Sequence, residues 1–271
     1  MKRFFLAGLL LFAVFFARAA KVDTVETYSD AMHKTIKAVV ITPDNYDGRQ
    51  ALPVVYMLHG AGGNYADYVR NIPYIQTAVD LYHFIIVCAD GRVNSWYFDS
   101  PVDSASRYET YVSKELVHFV DTHYKTIADR SGRAIMGLSM GGHGALYLSF
   151  RHQDVFGAAG SMSGGVDFRP FPKNWNLAGD LGTYEEHPEN WDKNVVVNLT
   201  DLVKPGALAL IIDCGYDDFF YKVNLALHEK LLSGKIPHDF IIRPGGHTWT
   251  YWSNSVPYQL LFFNRFFTKA Q

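Results

Sequence analysis

Seven runs of apolar, largely β-branched residues punctuate the chain: 34–43, 52–60, 83–90, 132–139, 156–164, 207–215 and 238–246. Several are apolar at consecutive positions, as in "LPVVYMLHG" and "ALALIIDCG", which is the mark of strands buried on both faces. Such strands sit in a mostly parallel α/β sheet with helices on both sides. The clearest helix is "SRYETYVSKELVHFVDTHY" (106–124). In it Tyr108, Tyr111, Val112, Leu116, Phe119, Val120 and His123 recur at helical spacing, and Ser106 with Glu109 reads as a capping box. A second helix is predicted from Phe219 to Ser233, stopping at Gly234, and a last one carries "PYQLLFFNRFF".

No repeat, low-complexity tract or linker breaks this pattern, so residues 20–271 are expected to form one domain. Residues 165–203 have no clear period and are expected to form an excursion over the active site. The first nineteen residues have a different character. Lys2 and Arg3 precede an apolar run from Phe4 to Phe16 and the small-residue pattern Ala17-Arg18-Ala19, which reads as a cleaved signal peptide covering 1–19. The run is too short for a spanning helix, which needs about 20 residues. The mature protein is therefore expected outside the cytoplasm, periplasmic or extracellular, and free of the membrane.

Composition refines this picture in two ways. The 271 residues are 48% hydrophobic and 19% charged, enough apolar material for a large core. Loss of Lys2, Arg3 and Arg18 leaves 22 of the 25 basic residues against 27 acidic, a formal charge of -5, which disfavours nucleic acid as a partner.

The candidate chemistry lies in "IMGLSMGGHGAL" (135–146). A G-x-S-x-G arises by chance in a chain of this length with probability on the order of 0.1, so its context decides. Ser139 stands where an apolar strand meets small residues that open a helix, the setting of a nucleophile elbow. A serine hydroxyl needs a base to remove its proton and an acid to orient that base. In an α/β sheet these belong in loops after the C-terminal ends of strands, the acid before the histidine. Of eleven histidines, five precede the serine and His143 and His152 lie on the helix it opens. His187 falls in the excursion, His228 inside a helix and His238 at the N-terminal end of the last strand. His247, after "RPGG", meets the requirement. For the acid, Asp213 falls inside the apolar run and is expected to make structural hydrogen bonds; Asp217 and Asp218 both lie in the following loop, and spacing does not choose between them. The oxyanion hole needs two backbone N–H groups, expected from Met140 and from Ala61 in "HGAGG". The latter loop has neither G-K-[ST] nor G-x-G-x-x-G, so a phosphate cradle is not supported. His59 has no second ligand at usable spacing, so no metal is expected, and a supporting place beside the hole suits it better.

The segments "LHGAGG", "SWYFDSP", "YETYVSKELVHFVDTHY", "GLSMGGHGAL", "CGYDDF" and "GGHTWTYW" together resemble the esterase D-like α/β hydrolases. That family includes feruloyl and acetylxylan esterases of carbohydrate esterase family one, S-formylglutathione hydrolases and mycolyltransferases. The resemblance implies the α/β-hydrolase fold, a Ser139–His247–Asp218 triad with Asp218 as the acid of a G-x-x-D pattern from Gly215, Ala61 as oxyanion donor, and no cofactor. The strand order it implies sets Cys88 and Cys214 several strands apart, too far for a disulfide; two free, buried thiols are expected.

Export disfavours intracellular thioesters. With Trp96, Trp175, Trp191, Trp249 and Trp252 as flat faces for a sugar or phenolic group, Trp96, Trp175 and Trp249 foremost, it points to a small-molecule or oligosaccharide ester, feruloyl or acetyl, of plant polysaccharide. Two alternatives share the fold: an acyltransferase of the mycolyltransferase kind, and a non-catalytic carbohydrate-binding protein.

Overall fold

A computed structural model describes residues 19–269. The signal expected at 1–19 lies, apart from Ala19, outside the described residues.

Eight strands form one sheet: β1 (Lys21–Ser29), β2 (Lys34–Thr42), β3 (Val54–Leu58), β4 (Ile85–Ala89), β5 (Arg133–Leu138), β6 (Ala158–Met162), β7 (Ala209–Gly215) and β8 (Asp239–Arg243). Their spatial order is β1-β2-β4-β3-β5-β6-β7-β8. The pairs from β4–β3 through β7–β8 are parallel, and β1–β2 and β2–β4 are antiparallel. Every residue of β3, β4, β5 and β6 is buried, in keeping with their unbroken apolar runs. The seven expected runs all contain a strand. β1, KVDTVETYS, was not among them, because its exposed and covered positions alternate at the sheet edge and its polar face hides the pattern.

The helices are α1 (Asp67–Asn71), α2 (Ile75–Tyr82), α3 (Tyr108–Thr110), α4 (Val117–His123), α5 (Met140–Arg151), α6 (Leu177–Leu181), α7 (Pro188–Asn194), α8 (Tyr221–Ser233) and α9 (Trp249–Lys269). The predicted helix at 106–124 is broken into α3 and α4 by a π-helical stretch, Tyr111–Leu116. The last helix begins earlier than the sequence pattern shows, at Trp249, and runs past Pro257. Among the described residues no helix is long and apolar enough to cross a membrane.

The capping box expected from Ser106 and Glu109 is not formed. Arg107 holds the N-cap position without a side-chain cap. Glu109 turns instead to stronger donors: its Oε1 accepts from Arg151 Nε and His152 Nε2, each at 2.8 Å, and its Oε2 accepts from Tyr147 O–H at 2.9 Å. Charge-assisted bonds outweigh one backbone N–H. Burial alone would raise the Glu109 pKa, but the His152, Arg151 and Tyr147 donors overcome it and hold the group down at about 2, against an ordinary 4.5.

This depression stabilises the fold, fully so above the unfolded value near 4.5, and the contribution fades as pH falls toward 2. Glu109→Gln is therefore expected to cost about 3 kcal/mol at pH 7. In urea unfolding the gap from wild type should narrow at pH 3; a gap independent of pH would contradict the ion-pair account.

Cys88 on β4 and Cys214 on β7 are free and buried, with β3, β5 and β6 between their strands. Burial pushes both thiols up, away from the reactive thiolate.

Candidate active site

Ser139 sits between the C-terminal end of β5 and the first residue of α5, at φ 55° and ψ -118°. A non-glycine residue at positive φ is strained, and here the turn is held from both sides. Ser139 N–H donates to Met162 O at 2.9 Å, and Ser139 O accepts from His143 N–H at 3.0 Å and Gly165 N–H at 3.2 Å. The flanking glycines make the turn possible: a Cβ on Gly141 would stand 2.0 Å from Leu58 O, and one on Gly137 2.3 Å from the Gly141 backbone. Strand and helix thus cross closer than any side chain permits.

The loops after β7 and β8 bring the acid and the base to this turn. His247 Nδ1 lies 2.8 Å from Asp218 Oδ2, and His247 Nε2 lies 2.8 Å from Ser139 Oγ. A carboxylate only accepts, so Nδ1 carries the proton and Nε2 faces the serine hydroxyl as an acceptor. Asp218 Oδ1 in turn accepts from Phe220 N–H at 2.8 Å, and its side chain is fully buried. Both carboxylate oxygens are therefore fixed.

Of the two aspartates that spacing left open, Asp218 reaches the imidazole. Asp217 instead ties the two loops together. Its backbone N–H donates to Gly245 O at 3.0 Å, and its Oδ2 accepts from Gly245 N–H at 3.2 Å. Asp213, buried within β7, accepts from Arg243, Tyr251 and Ser255, as its place in the strand led one to expect. Burial raises its pKa, against the Tyr251 and Arg243 donors.

The loop after β3 approaches from the other side, close enough that a Cβ on Gly60 would be 3.3 Å from Ser139 Cβ. Gly62 N–H donates to Val93 O and Gly63 N–H to Gly60 O, while Ala61 N–H makes no hydrogen bond among the described residues. Met140 is the first residue of α5, where an N–H has no partner within the helix. Buried His59 braces this loop. Gly91 N–H donates to His59 Nε2 at 2.8 Å, so Nδ1 carries the proton and donates to Gly60 O at 2.8 Å. Burial lowers the His59 pKa and keeps the ring neutral.

A cleft of about 410 Å³ opens over Ser139, lined by Gly60–Gly63, Asp67, Trp175, Phe219, His247, Trp249 and Trp252. Of the five tryptophans expected to offer flat faces, Trp175, Trp249 and Trp252 are there. Trp96 is not. It is 1% exposed and packs against His143, Phe168 and Trp175, as part of the hydrophobic core that also holds Phe168 and Trp191. Trp191 is likewise buried.

Sequence reading missed Phe219 and Asp67. Phe219 is 50% exposed, and its ring centroid is 4.3 Å from that of His247. Its only signal was its place beside Asp218. The excursion supplies Trp175, set by two successive positive-φ residues, Trp175 and Asn176, and no residue of α7 is among those that line the cleft. A larger cleft, about 950 Å³, lies elsewhere, around Glu109, Arg151 and Asn194, and holds no member of the Ser139 group. Among the described residues no group of three or more His, Cys, Asp or Glu is placed to hold a metal ion.

Comparison with known proteins identifies the family and the fold. Esterase Rv1288 of Mycobacterium tuberculosis is 31% identical over 237 residues, covering 77% of this chain and 51% of that protein; the chain thus spans about half the length of that relative. An acetyl esterase of Caldicellulosiruptor saccharolyticus is 24% identical over 254 residues, covering 86% of this chain and 94% of the relative. Among solved structures, a ferulic acid esterase superposes with a TM-score of 0.81 at 27% identity, covering 93% of this chain and all of that one. FphF of Staphylococcus aureus, a fluorophosphonate-binding serine hydrolase, shares the fold with a TM-score of 0.80 at 19% identity, covering 90% and 98% of the two chains. The sequence model of the Esterase family matches residues 29–263, and with its α/β-hydrolase fold the chain belongs to that family.

Proposed function

We propose that this esterase is an exported serine carboxylic-ester hydrolase that acts through an acyl-enzyme on Ser139, on feruloyl or acetyl esters of plant polysaccharide fragments. The observation that carries the reading is the continuous hydrogen-bonded line Asp218–His247–Ser139 opening into the cleft. In this reading His247 Nε2 takes the Ser139 proton as Oγ attacks the ester carbonyl, and the Asp218 carboxylate stabilises the imidazolium that forms. The oxyanion is met by the N–H groups of Ala61 and Met140, each worth about 3 to 4 kcal/mol in such a site. The alkoxide leaves with the proton from His247. Water, deprotonated by the same nitrogen, then releases the acid and restores the serine. His247 carries every proton transfer the cycle needs, and the two N–H groups hold the oxyanion by hydrogen bonds.

The aromatic wall of Trp175, Phe219, Trp249 and Trp252 suits a flat acyl group or a sugar. Its relatives include proteins named acetyl esterase and endo-1,4-beta-xylanase/feruloyl esterase. For export, the support is the amino-terminal pattern together with Ala20, which would begin the mature chain. Its backbone N–H donates to Asp80 Oδ2 at 3.0 Å, so an α-ammonium there would gain a counter-ion.

A hydrolysis panel of p-nitrophenyl acetate and butyrate, methyl ferulate and acetylated xylo-oligosaccharides tests the substrate. Preference for methyl ferulate or for the acetylated oligosaccharide over p-nitrophenyl butyrate, by tenfold or more in kcat/KM, is the expected result. A preference for butyrate would contradict it.

A further inference from the structure

We propose that Asp67 and Trp249 form the subsite for the alcohol half of the ester, and that the pair selects a polyhydroxylated, uncharged alcohol such as a sugar. The inference rests on the ester-hydrolase reading above and adds to it the residues that choose the leaving group.

A leaving oxygen must come within hydrogen-bond reach of His247 Nε2 to be protonated. Trp249 lies two residues beyond His247, at the start of α9, and lines the same cleft. Its ring meets that of Tyr68 edge-on at 5.8 Å, which fixes the start of α9 against the start of α1, where Asp67 stands. The alcohol half, leaving past His247, enters a cleft that an indole and a carboxylate line together.

Asp67 is half-buried, and only one of its oxygens is engaged. Oδ2 accepts from Asn64 N–H at 3.2 Å; Oδ1 makes no hydrogen bond among the described residues. The absence of a side chain on Gly63 lets the carboxylate fold over the loop, since a Cβ there would lie 2.2 Å from Oδ2. A negative charge beside the loop that carries Ala61 opposes build-up of negative charge at the reacting carbonyl. A ligand that brings hydroxyl donors to the free Oδ1 would offset that opposition. The same charge repels anionic alcohols. Among the described residues no other acidic side chain lines this cleft, so the selection falls to Asp67.

Asp67→Asn keeps an acceptor for Asn64 N–H, so the loop turn survives while the charge is lost. A hydrogen bond to a charged group corresponds to roughly 10- to 100-fold in affinity. With mono-acetylated xylotriose and p-nitrophenyl acetate as substrates sharing one acyl group, Asp67→Asn is expected to raise the KM ratio of the first to the second at least tenfold. Trp249→Ala should move the ratio the same way. The ratio of p-nitrophenyl butyrate to p-nitrophenyl acetate, which varies only the acyl group, should move less than threefold. An unchanged xylotriose ratio, a shift confined to the acyl series, or a wild type that cleaves p-nitrophenyl acetate but not the acetylated xylotriose would overturn the subsite. Failure of the underlying reading looks different: p-nitrophenyl acetate cleavage that persists undiminished in Ser139→Ala.

Discussion

Ser139→Ala is expected to lower kcat for p-nitrophenyl acetate by about 10⁴- to 10⁶-fold, the range seen when a serine nucleophile is removed from a triad. What activity is left would come from the oxyanion donors and from substrate binding, which do not need the hydroxyl. The companion variant Ser139→Gly should lose as much activity yet unfold at a higher denaturant concentration than Ser139→Ala. The residue sits at φ 55°, where glycine is at ease and alanine remains strained by roughly 1 to 3 kcal/mol. Parallel rate and urea-unfolding measurements on both variants check the prediction. Equal stability of the two would mean that the elbow is not strained; retained activity in either would remove Ser139 from the chemistry.

The second large effect is expected at Asp218. Asp218→Asn preserves size but puts an amide where a carboxylate fixes the His247 tautomer, and the expected loss in kcat is about 10⁴-fold. Asp217→Asn is the matched control. Asp217 holds the loop through Gly245 and is exposed, so its variant should retain kcat within about tenfold while the chain unfolds slightly more easily. Stopped-flow or steady-state rates on the pair decide the point that spacing left open. If Asp217→Asn proved the more damaging, the hydrogen bond from His247 to Asp218 would not be the one that matters in turnover.

The parallel core and the reacting side chains were legible for one reason: strands buried on both faces must be apolar throughout, and catalytic groups must follow their C-terminal ends. Together with the G-x-S-x-G turn and the order of acid before histidine, that rule isolates Ser139 and His247. It does not separate Asp217 from Asp218, because two adjacent loop residues differ only in direction; the family pattern, and then the distance to His247, separates them. β1 escaped because a half-exposed edge strand carries polar residues on alternate positions.

Glu109 shows a local rule overruled from afar. The S-x-x-E spacing is a capping signal, but Arg151 and His152, about forty residues away, provide stronger partners. Tryptophan placement was least legible. Trp96 and Trp175 are in contact, with ring centroids 5.5 Å apart, yet one faces the core and the other the cleft. Only the tertiary packing of the excursion distinguishes them. Asp67 gave no signal at all, since a carboxylate in the first turn of a helix is ordinary for its effect on the helix dipole.

The central claim is that Ser139 is the nucleophile, activated by His247. Incubation with a fluorophosphonate followed by peptide mass spectrometry tests it most directly, because the reagent forms a stable phosphonyl ester with an activated serine. The predicted result is a single adduct on the peptide containing Ser139, absent in Ser139→Ala and slowed by at least a hundredfold in His247→Ala. An adduct on another serine, or equal labelling of Ser139 with and without His247, would contradict the account.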